Sequence, residues 1–291
     1  MLTVDASFVR SSVVLCDYRA MKVIAVTIEK ADFIEGMAKG LAVLESFDTE
    51  RQRLNATLAA QRAGITRAAA RRHLLTLAHL GYLETEDGYY WLSPKVLRFS
   101  GSYLASSRLP RALQPTLNRL AAQTQQSFSS VVLDGDQVVI VARSVGSGAK
   151  TTQGASKVLA YGLHLGARLP AHATSTGRML LACQSRTEFA AWLKSKALQG
   201  RALPRLTAHT VLDAKTFKSL VSAARTQDWC VVSQEHELGV FALAVPLRNM
   251  QGRVMAALNV VTTPERLQLD VMQRDLLPVL QDAARELRPL L

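Results

Sequence analysis

Two helix-forming segments joined by a glycine-containing turn constrain this chain more than any other feature. They lie in residues 54–83, LNATLAAQRAGITRAAARRHLLTLAHLGYL, where apolar residues recur close to helical spacing. Gly64 stands where the first helix must end, because glycine readily adopts the left-handed conformation that terminates helices. Thr66 follows and can cap a second helix with its hydroxyl. The pattern predicts a helix-turn-helix, whose second helix enters the DNA major groove.

The charge of this segment favours a polyanionic partner. Six arginines and no Asp or Glu lie between Arg51 and Leu83, whereas a solvated helix face normally mixes both signs. The formal net charge of +12 and the pI of about 10.0 agree with this. An ordinary helical hairpin with a charged surface is the alternative. We predict that the residues facing the groove are Thr66, Arg67, Arg71, Arg72 and His73, with Lys39, Thr57 and Arg62 nearer the phosphates. His73 fits a position at the edge of the core equally well.

A β-hairpin is predicted directly after the two helices. Leu83-Glu84-Thr85 and the aromatic residues 89–92 flank Glu86-Asp87-Gly88, and Asp-Gly in this setting is a strong hairpin signal. With a first helix over residues 33–47, the segment forms a winged helix-turn-helix, mostly α with a β-wing. Because the wing tip is acidic, we expect it to lie beside the DNA phosphates rather than to hold them.

The rest of the chain predicts a linker helix and then an α+β domain. Residues 95–126 read as helical with a break near 106–110 and a second helix from about Arg111. A spare apolar stripe on the linker helix favours a homodimer contact, with packing inside one subunit as the alternative. From Ser127 onward, short strands alternate with helices, which is typical of an antiparallel α+β sensor domain. Strands are predicted at 128–133, 138–142, 158–161, 229–232, 241–247 and 254–261, and helices at 178–183, 185–196, 213–226 and from Thr263-Pro264.

These patterns give four segments with different expected roles. Residues 1–30 are an uncertain N-terminal extension, expected to be poorly ordered, with Met21 as an alternative start. Residues 31–94 form the winged helix-turn-helix, 95–110 the linker helix and 111–291 the sensor domain. The full length of 291 residues is enough for two domains, each with its own core.

Composition argues against several other classes of protein. The cysteines Cys16, Cys183 and Cys230 are isolated and odd in number, which argues against a disulfide framework and favours a reducing cytoplasm. The histidines lack metal-ligand spacing, so we expect no metal site and no cofactor. No apolar run reaches the roughly 18 residues of a membrane span, so we expect no membrane partner.

The sequence leaves two alternatives to a DNA-binding protein that is controlled by a ligand. They are an enzyme and a DNA-binding protein that responds to no ligand. The segment from Gly146 to Thr151 is similar to a phosphate-binding loop. It lacks the adjacent Gly-Lys and does not open a helix, so the phosphate-binding mechanism is missing. The chain also has no Gly-x-Ser-x-Gly nucleophile elbow. We therefore predict that the protein is not an enzyme.

Five segments in this order resemble the isocitrate-lyase-regulator (IclR) family of transcription factors. They are residues 33–44, the helix-turn-helix, and residues 170–178, 235–239 and 252–260. The resemblance extends from about residue 32 to the end of the chain. Residues 33–44 and 170–178 are most similar to the branch that regulates aromatic-acid catabolism, such as the protocatechuate or hydroxybenzoate regulators.

The resemblance implies a GAF-like C-terminal domain that binds a small, usually anionic metabolite. Family members are dimers or dimers of dimers and act as repressors, activators or both, and an activator would also contact RNA polymerase. The implied partners are therefore a double-stranded DNA operator, a small organic acid effector, here an aromatic acid, and a second copy of the chain. The implied effector-binding residues are Thr174, Ser175, Thr176, Gly177, Val232, Ser233, Ala242 and Asn259.

The chemistry of these residues suits a carboxylate. The hydroxyls of Ser175, Thr176 and Ser233 can donate hydrogen bonds, and so can the amide of Asn259. The backbone amides at the predicted helix start add a favourable dipole. Plain helix capping and ordinary strand polarity are the alternative, most of all for Asn259.

The chain departs from the family pattern after Glu-x-x-Leu-Gly, where the family commonly has Leu-Arg followed by Ser or Cys. Here Phe241 and Ala242 replace the cation and the small polar group. If these positions line the pocket, it is more apolar and suits a larger or aromatic ligand. If the family's arginine is instead an ion-pair partner, the change says nothing about the ligand. The uncharged Ser233 and Gln234, where similar proteins often carry carboxylates, fit the second interpretation.

Overall fold

The computed structural model describes residues 13–17, 22–26, 28–48, 51–145, 164–198, 203–264 and 267–291. The chain divides into two compact units, which contain Ala25–Ser106 and Ser107–Leu291. The predicted strand at 158–161 and the loop from Gly146 to Thr151 lie outside the described residues. Within the described residues, no helix is both long enough and apolar enough to cross a membrane.

Two paired strands lie near the N-terminus, β1 (Val13–Asp17) and β2 (Lys22–Val26). No secondary structure was assigned to this extension from the sequence, so the two strands were not predicted. They coincide with two short runs rich in Val and Ile, which favour the extended backbone because β-branched side chains fit a pleated surface.

The first unit contains the predicted helix-turn-helix. Its helices are α1 (Glu35–Leu44), α2 (Ala56–Ala63) and α3 (Arg67–His79). Gly64 ends α2 in the left-handed conformation, with φ of 66°, and Thr66 accepts a hydrogen bond from the backbone N–H of Ala69 at 3.3 Å. Both local predictions are confirmed. The helices enclose a small core of Val43, Phe47, Leu54, Ala59, Ala60, Ala70, Leu74, Leu77, Leu83 and Tyr90.

The predicted wing is present as β3 (Leu83–Glu86) paired with β4 (Tyr89–Leu92). Asp87 and Gly88 form the two-residue turn with φ of 50° and 76°, as the Asp-Gly signal requires. Leu54 extends the hairpin, because its N–H and C=O exchange hydrogen bonds with Tyr90 at 2.9 and 2.8 Å. The entry into α2 is thereby fixed to the wing.

Two helices follow, α4 (Leu97–Ser106) and α5 (Arg108–Thr124). The predicted break is present but is confined to Ser107, so α5 begins before the expected Arg111. Pro110 lies in the first turn of α5, where a missing N–H costs nothing because that group has no partner within the helix.

The second unit is built on a six-stranded antiparallel sheet with the order β7-β6-β5-β10-β9-β8. Its strands are β5 (Ser127–Asp134), β6 (Gln137–Val145), β7 (Arg168–Pro170), β8 (Cys230–Ser233), β9 (Phe241–Arg248) and β10 (Val254–Thr262). Its further helices are α6 (Ser175–Cys183), α7 (Arg186–Leu198), α8 (Ala214–Gln227) and α9 (Leu269–Leu287). The predicted antiparallel α+β class is confirmed.

Side chains alternate between the two faces of this sheet. Val131, Ile140, Val232 and Ala244 share one hydrophobic cluster with residues of α6 and α8. Their neighbours in sequence therefore point to the other face. This alternation decides which polar residues face the start of α6.

Helix starts were predicted with mixed success. The capping box of α7 is confirmed, since Ser185 and Glu188 exchange hydrogen bonds at 2.9 and 3.1 Å. Asp213 caps α8 as predicted, accepting from Thr216 N–H at 2.7 Å. The predicted start of the last helix at Thr263-Pro264 is wrong. The carbonyl of Thr263 accepts a hydrogen bond from Leu267 N–H at 3.0 Å, but α9 begins only at Leu269.

Candidate functional site

A cavity in the second unit lies between the start of α6, the turn joining β8 to β9 and one face of the sheet. Six of the eight predicted effector residues line it: Thr174, Ser175, Thr176, Val232, Ala242 and Asn259. Its other lining residues are Ser129, Val131, Ile140, Leu169, Ala173, Glu235, His236, Glu237, Val240 and Val261.

The start of α6 presents unused hydrogen-bond donors to this cavity. Thr174 caps the helix by accepting from Gly177 N–H at 3.2 Å. The backbone amides of Ser175 and Thr176 have no acceptor among the described residues. The Ser175 side chain is fully buried and its Oγ also has no hydrogen-bond partner in the described structure. Buried donors at a helix N-terminus favour an anion, since the helix dipole adds to the hydrogen bonds.

Gly177 contributes space rather than a ligand contact. A Cβ atom at this position would lie 2.3 Å from both the Cα and the carbonyl oxygen of Ala171. Its N–H is already used by the Thr174 cap. Gly177, predicted to contact the effector, therefore lies outside the cavity lining and lets α6 pack closely against the preceding segment.

A buried polar pair faces the cavity from the sheet. Ser129 on β5 lies opposite Asn259 on β10, and its hydroxyl donates to Asn259 Oδ1 at 2.6 Å. The Asn259 amide nitrogen has no further acceptor among the described residues. A polar pair on an otherwise apolar sheet face can hydrogen-bond a polar group of a bound molecule. Ser129 was missed from the sequence, because only strand register places it beside Asn259.

An ion pair joins α6 to the turn between β8 and β9. One guanidinium nitrogen of Arg178 donates to both carboxylate oxygens of Glu235, at 2.7 and 2.9 Å, and both side chains are buried. Val211 N–H adds a third hydrogen bond to this carboxylate at 3.2 Å. The Glu235 charge is thus neutralised within the protein and does not repel an anion in the cavity.

His236 lies next to this pair and lines the cavity. Burial lowers the pKa of His236 from its ordinary value, and the neighbouring Glu237 only partly opposes this shift. At neutral pH the imidazole is therefore uncharged, and it can exchange one hydrogen bond with a ligand hydroxyl in either direction. Neither His236 nor Glu237 was predicted, although both stand in the Glu-His-Glu-Leu-Gly segment that carries the family resemblance.

The two residues that depart from the family pattern, Phe241 and Ala242, lie on opposite faces of β9. Ala242 lines the cavity, together with the preceding Val240. Phe241 does not line it, because consecutive strand residues point to opposite faces. The methyl group of Ala242 therefore makes the cavity more apolar, whereas the aromatic ring that replaces the family's arginine does not enter it.

Ser233 also lies outside the cavity. Val232 lines it, and Ser233 is the next residue along β8, so its side chain points to the opposite face. The predicted hydrogen bond from Ser233 to a carboxylate is not supported by this position. The sequence could not reveal this, because it does not specify which alternate residues of a short edge strand face inward.

The exposed face of α3 carries unpaired positive charge. Arg67, Arg71 and Arg72 are exposed, and none of them makes an ion pair with a described residue. The opposite face of the helix is buried, with Ala70, Leu74 and Leu77 in the core. The helix therefore presents three guanidinium groups to solvent, as predicted.

The predicted phosphate-contacting residues differ in their surroundings. Lys39 pairs with Glu35 at 2.8 Å, and Arg62 pairs with Asp48, so both charges are already partly neutralised. Thr57 is exposed in the first turn of α2, where Asn55 caps its N–H at 3.1 Å. His73 is half-buried, with Nδ1 beside Gly40 of α1, which favours its position at the edge of the core.

Comparison with known proteins agrees with this architecture. The family model of the bacterial transcriptional regulator IclR C-terminal domain matches residues 101–288. The family model of the IclR helix-turn-helix domain matches residues 36–87. The Pca operon regulatory protein of Acinetobacter baylyi is 49% identical over 264 residues, covering 91% of this chain and 91% of that protein. The p-hydroxybenzoate hydroxylase transcriptional activator of the same organism is 48% identical over 263 residues, covering 90% and 94%.

A solved structure resembles the second unit. It is the inducer-binding domain of the Acinetobacter PobR transcription factor, a double mutant in complex with 3-hydroxybenzoic acid. It is 43% identical, covers 62% of this chain and 98% of that chain, and has a TM-score of 0.56. The predicted resemblance to regulators of aromatic-acid catabolism is confirmed. The chain belongs to the IclR family of bacterial transcriptional regulators.

Proposed function

We propose that this regulator binds an aromatic carboxylic acid in the cavity at the start of α6, and that binding controls its affinity for operator DNA. The observation that carries the proposal is the buried Oγ of Ser175 beside two backbone amides, since none of the three groups has a hydrogen-bond partner among the described residues. Buried donors without partners are costly, and a carboxylate would satisfy all three. Two similar proteins support the choice of ligand, since their names or complexes refer to hydroxybenzoates.

The remaining walls of the cavity suit an aromatic ring. Val131, Ile140, Leu169, Val232 and Val261 provide apolar surface, and apolar walls with a few placed polar groups are typical of small-molecule sites. In the proposed complex the carboxylate lies at the start of α6 and the ring packs on these side chains. A ring hydroxyl would then hydrogen-bond the neutral His236 or the amide of Asn259.

The proposed DNA contacts come from α3 and from its N-terminal turn. Arg67, Arg71 and Arg72 would reach the major groove, and the hydroxyl of Thr66 lies at the same end of the helix. Thr57, at the start of α2, would contact a phosphate. Lys39 and Arg62 would contribute only if DNA displaced Glu35 and Asp48, so we assign them a smaller share of the affinity.

We propose that the regulator is a homodimer. The apolar stripe of the linker helix, α4, stays a predicted contact, since Leu97 and Phe99 are both 64% exposed, and we propose α1 as a further contact with the second copy. Ile34, Met37 and Leu41 follow helical spacing and are 66%, 65% and 54% exposed. An exposed apolar stripe of this kind favours association, and a two-fold dimer would place two reading helices on one operator.

We propose that the protein has no catalytic activity of its own. Burial raises the pKa of the Cys183 and Cys230 thiols to about 11, so both are protonated at neutral pH and poor nucleophiles. The Ser175 hydroxyl makes no hydrogen bond to His236 or Glu237 among the described residues, so it is not held as an activated nucleophile, which suits binding rather than turnover.

Isothermal titration calorimetry of the full chain tests the proposed ligand class. The panel sets 4-hydroxybenzoate, 3-hydroxybenzoate and protocatechuate beside glyoxylate and pyruvate. We expect binding of one or more aromatic acids with one site per chain, and a rise in unfolding temperature that follows ligand concentration. Binding of the short acids alone, or of 4-hydroxybenzyl alcohol as tightly as 4-hydroxybenzoate, would contradict the proposal.

A further inference from the structure

A second, basic cleft lies at the opposite end of α6 from the cavity described above. The ends of four elements meet there, namely α6, α7, α8 and β9. The lining residues are Met179, Ala182, Cys183, Gln184, Ser185, Arg186, Arg225, Asp228 and Arg248. None of these residues lines the cavity at the start of α6, so the two sites are separate.

A neighbouring recess, formed with α9, shares lining residues with the cleft. Asp228 and Arg248 line both parts, and the second part adds Arg285 and Arg288. Among the described residues, five arginines and one carboxylate, that of Asp228, therefore line the cleft and the neighbouring recess. Arg285 pairs with Asp282 outside the lining, which still leaves a clear excess of positive charge. A surface with mixed charges is normal for a solvated protein, whereas this one favours a ligand with several negative charges.

Two of these arginines are held in fixed orientations. Arg225 donates from Nε to the carbonyl of Ala182 at 2.7 Å and from Nη2 to that of Gln184 at 2.9 Å. Arg248 donates from both terminal nitrogens to Asp228 at 2.6 Å. Each guanidinium has five N–H donors, so each retains unused donors. Groups already held in place lose little conformational entropy when a ligand binds.

Two further side chains complete the cleft. Arg186 lies at the first position of α7, is exposed and makes no ion pair with a described residue. The Gln184 side-chain oxygen is buried and has no hydrogen-bond partner in the described structure. A buried acceptor without a donor can accept a hydrogen bond from a hydroxyl of a bound molecule. The cleft thus combines several anion-binding groups with one acceptor.

We propose that this cleft is a second small-molecule site that binds a hydroxylated polyanion, such as a hydroxy-tricarboxylate. Arg186, Arg248 and Arg288 contact its anionic groups, and Gln184 accepts from its hydroxyl. The regulator then responds to two chemically different metabolites, one at each end of α6. The proposal does not depend on the identity of the ligand at the start of α6.

Calorimetry with citrate on the full chain, at constant ionic strength, tests the proposal. We expect one citrate per chain and weaker binding of tricarballylate, which has the same three carboxylates but no hydroxyl. Arg186→Gln should weaken citrate binding about tenfold, because a charge-assisted hydrogen bond contributes that much. The matched control is Arg253→Gln, which removes the same charge from an exposed arginine of the same unit outside the cleft.

Asp228→Asn provides a test with the opposite sign. It removes the one carboxylate that lines the cleft among the described residues, and asparagine tolerates the left-handed conformation that Asp228 adopts with φ of 65°. The asparagine amide oxygen can still accept one of the two hydrogen bonds from Arg248, so the orientation of Arg248 is kept while the repelling charge is lost. Citrate should therefore bind more tightly to Asp228→Asn than to the unmodified chain. Equal weakening by Arg186→Gln and Arg253→Gln would indicate non-specific attraction and overturn the proposal. So would the absence of citrate binding, or competition between citrate and 4-hydroxybenzoate for one site.

Discussion

Ser175 offers the most selective single change, because its hydroxyl is buried and has no hydrogen-bond partner in the part of the chain that the structure describes. Ser175→Ala should lower the affinity for an aromatic acid about tenfold, the contribution of a hydrogen bond to a charged group. The free energy of unfolding without ligand should not fall, since no intramolecular hydrogen bond is lost. Calorimetry and urea unfolding measure the two effects. Ser222→Ala, at an exposed position on α8, is the control, and equal affinity for Ser175→Ala and the control would contradict the assignment.

Gly177 tests the packing role that the structure gives it. Gly177→Ala should destabilise the fold by about 1–3 kcal/mol, as overpacking typically does, because its Cβ would overlap the Ala171 backbone. The control is Gly36→Ala in α1, where nothing lies within 4 Å of the added Cβ. That substitution should be neutral or stabilising, since alanine favours a helix. Urea unfolding of both variants measures the difference, and equal stabilities would contradict the close-packing argument.

At the residue scale, local chemistry was predictable and strand direction was not. Thr174, Ser175 and Thr176 were identified from a segment similar to the family, and all three line the cavity. Ser233 was assigned to the effector site for the same reason, but its side chain points away from the cavity, because consecutive residues of a strand point to opposite faces of the sheet. Glu235 and Arg178 are far apart in sequence, so the residues next to either one gave no indication of their ion pair.

Helix α3 is the element whose role is tested most simply. Arg71→Ala should weaken DNA binding and leave the affinity for aromatic acids unchanged, because Arg71 lies outside the second unit. If Arg71 contacts a phosphate, the slope of log affinity against log salt should fall by about one. Fluorescence anisotropy on a duplex recovered by this protein from a random-sequence pool provides the measurement. Arg253→Ala is the matched control, and equal DNA affinities of the two variants would exclude α3 from the interface.

The helices and strands that have a turn or capping residue at their ends were predicted from the sequence. Gly64 and Thr66 mark the turn between α2 and α3, and Asp87-Gly88 marks the wing. The start of α9 was missed because Thr263-Pro264 has the chemistry of a helix start, although α9 begins at Leu269. The apolar stripe of α9 begins later, at Met272, so tertiary packing rather than capping sets where this helix starts.

At the scale of the whole molecule, the exposed stripe on α1 predicts a dimer. Met37→Glu should produce a monomer in size-exclusion chromatography with light scattering, because a carboxylate cannot be buried at an apolar contact without a partner. Met250→Glu is the matched control, since Met250 is 61% exposed in the turn between β9 and β10. The control should remain dimeric. A dimer that persists in Met37→Glu would place the contact elsewhere.

The central claim is that a ligand at the start of α6 changes DNA binding by the winged helix. The direct test is the DNA affinity of the full chain, by anisotropy on the selected duplex, with and without a saturating aromatic acid that binds by calorimetry. The account predicts that the acid changes the DNA affinity of the unmodified chain, and that Ser175→Ala needs about tenfold more acid for the same change. DNA affinity that stays constant while the acid is bound would contradict it.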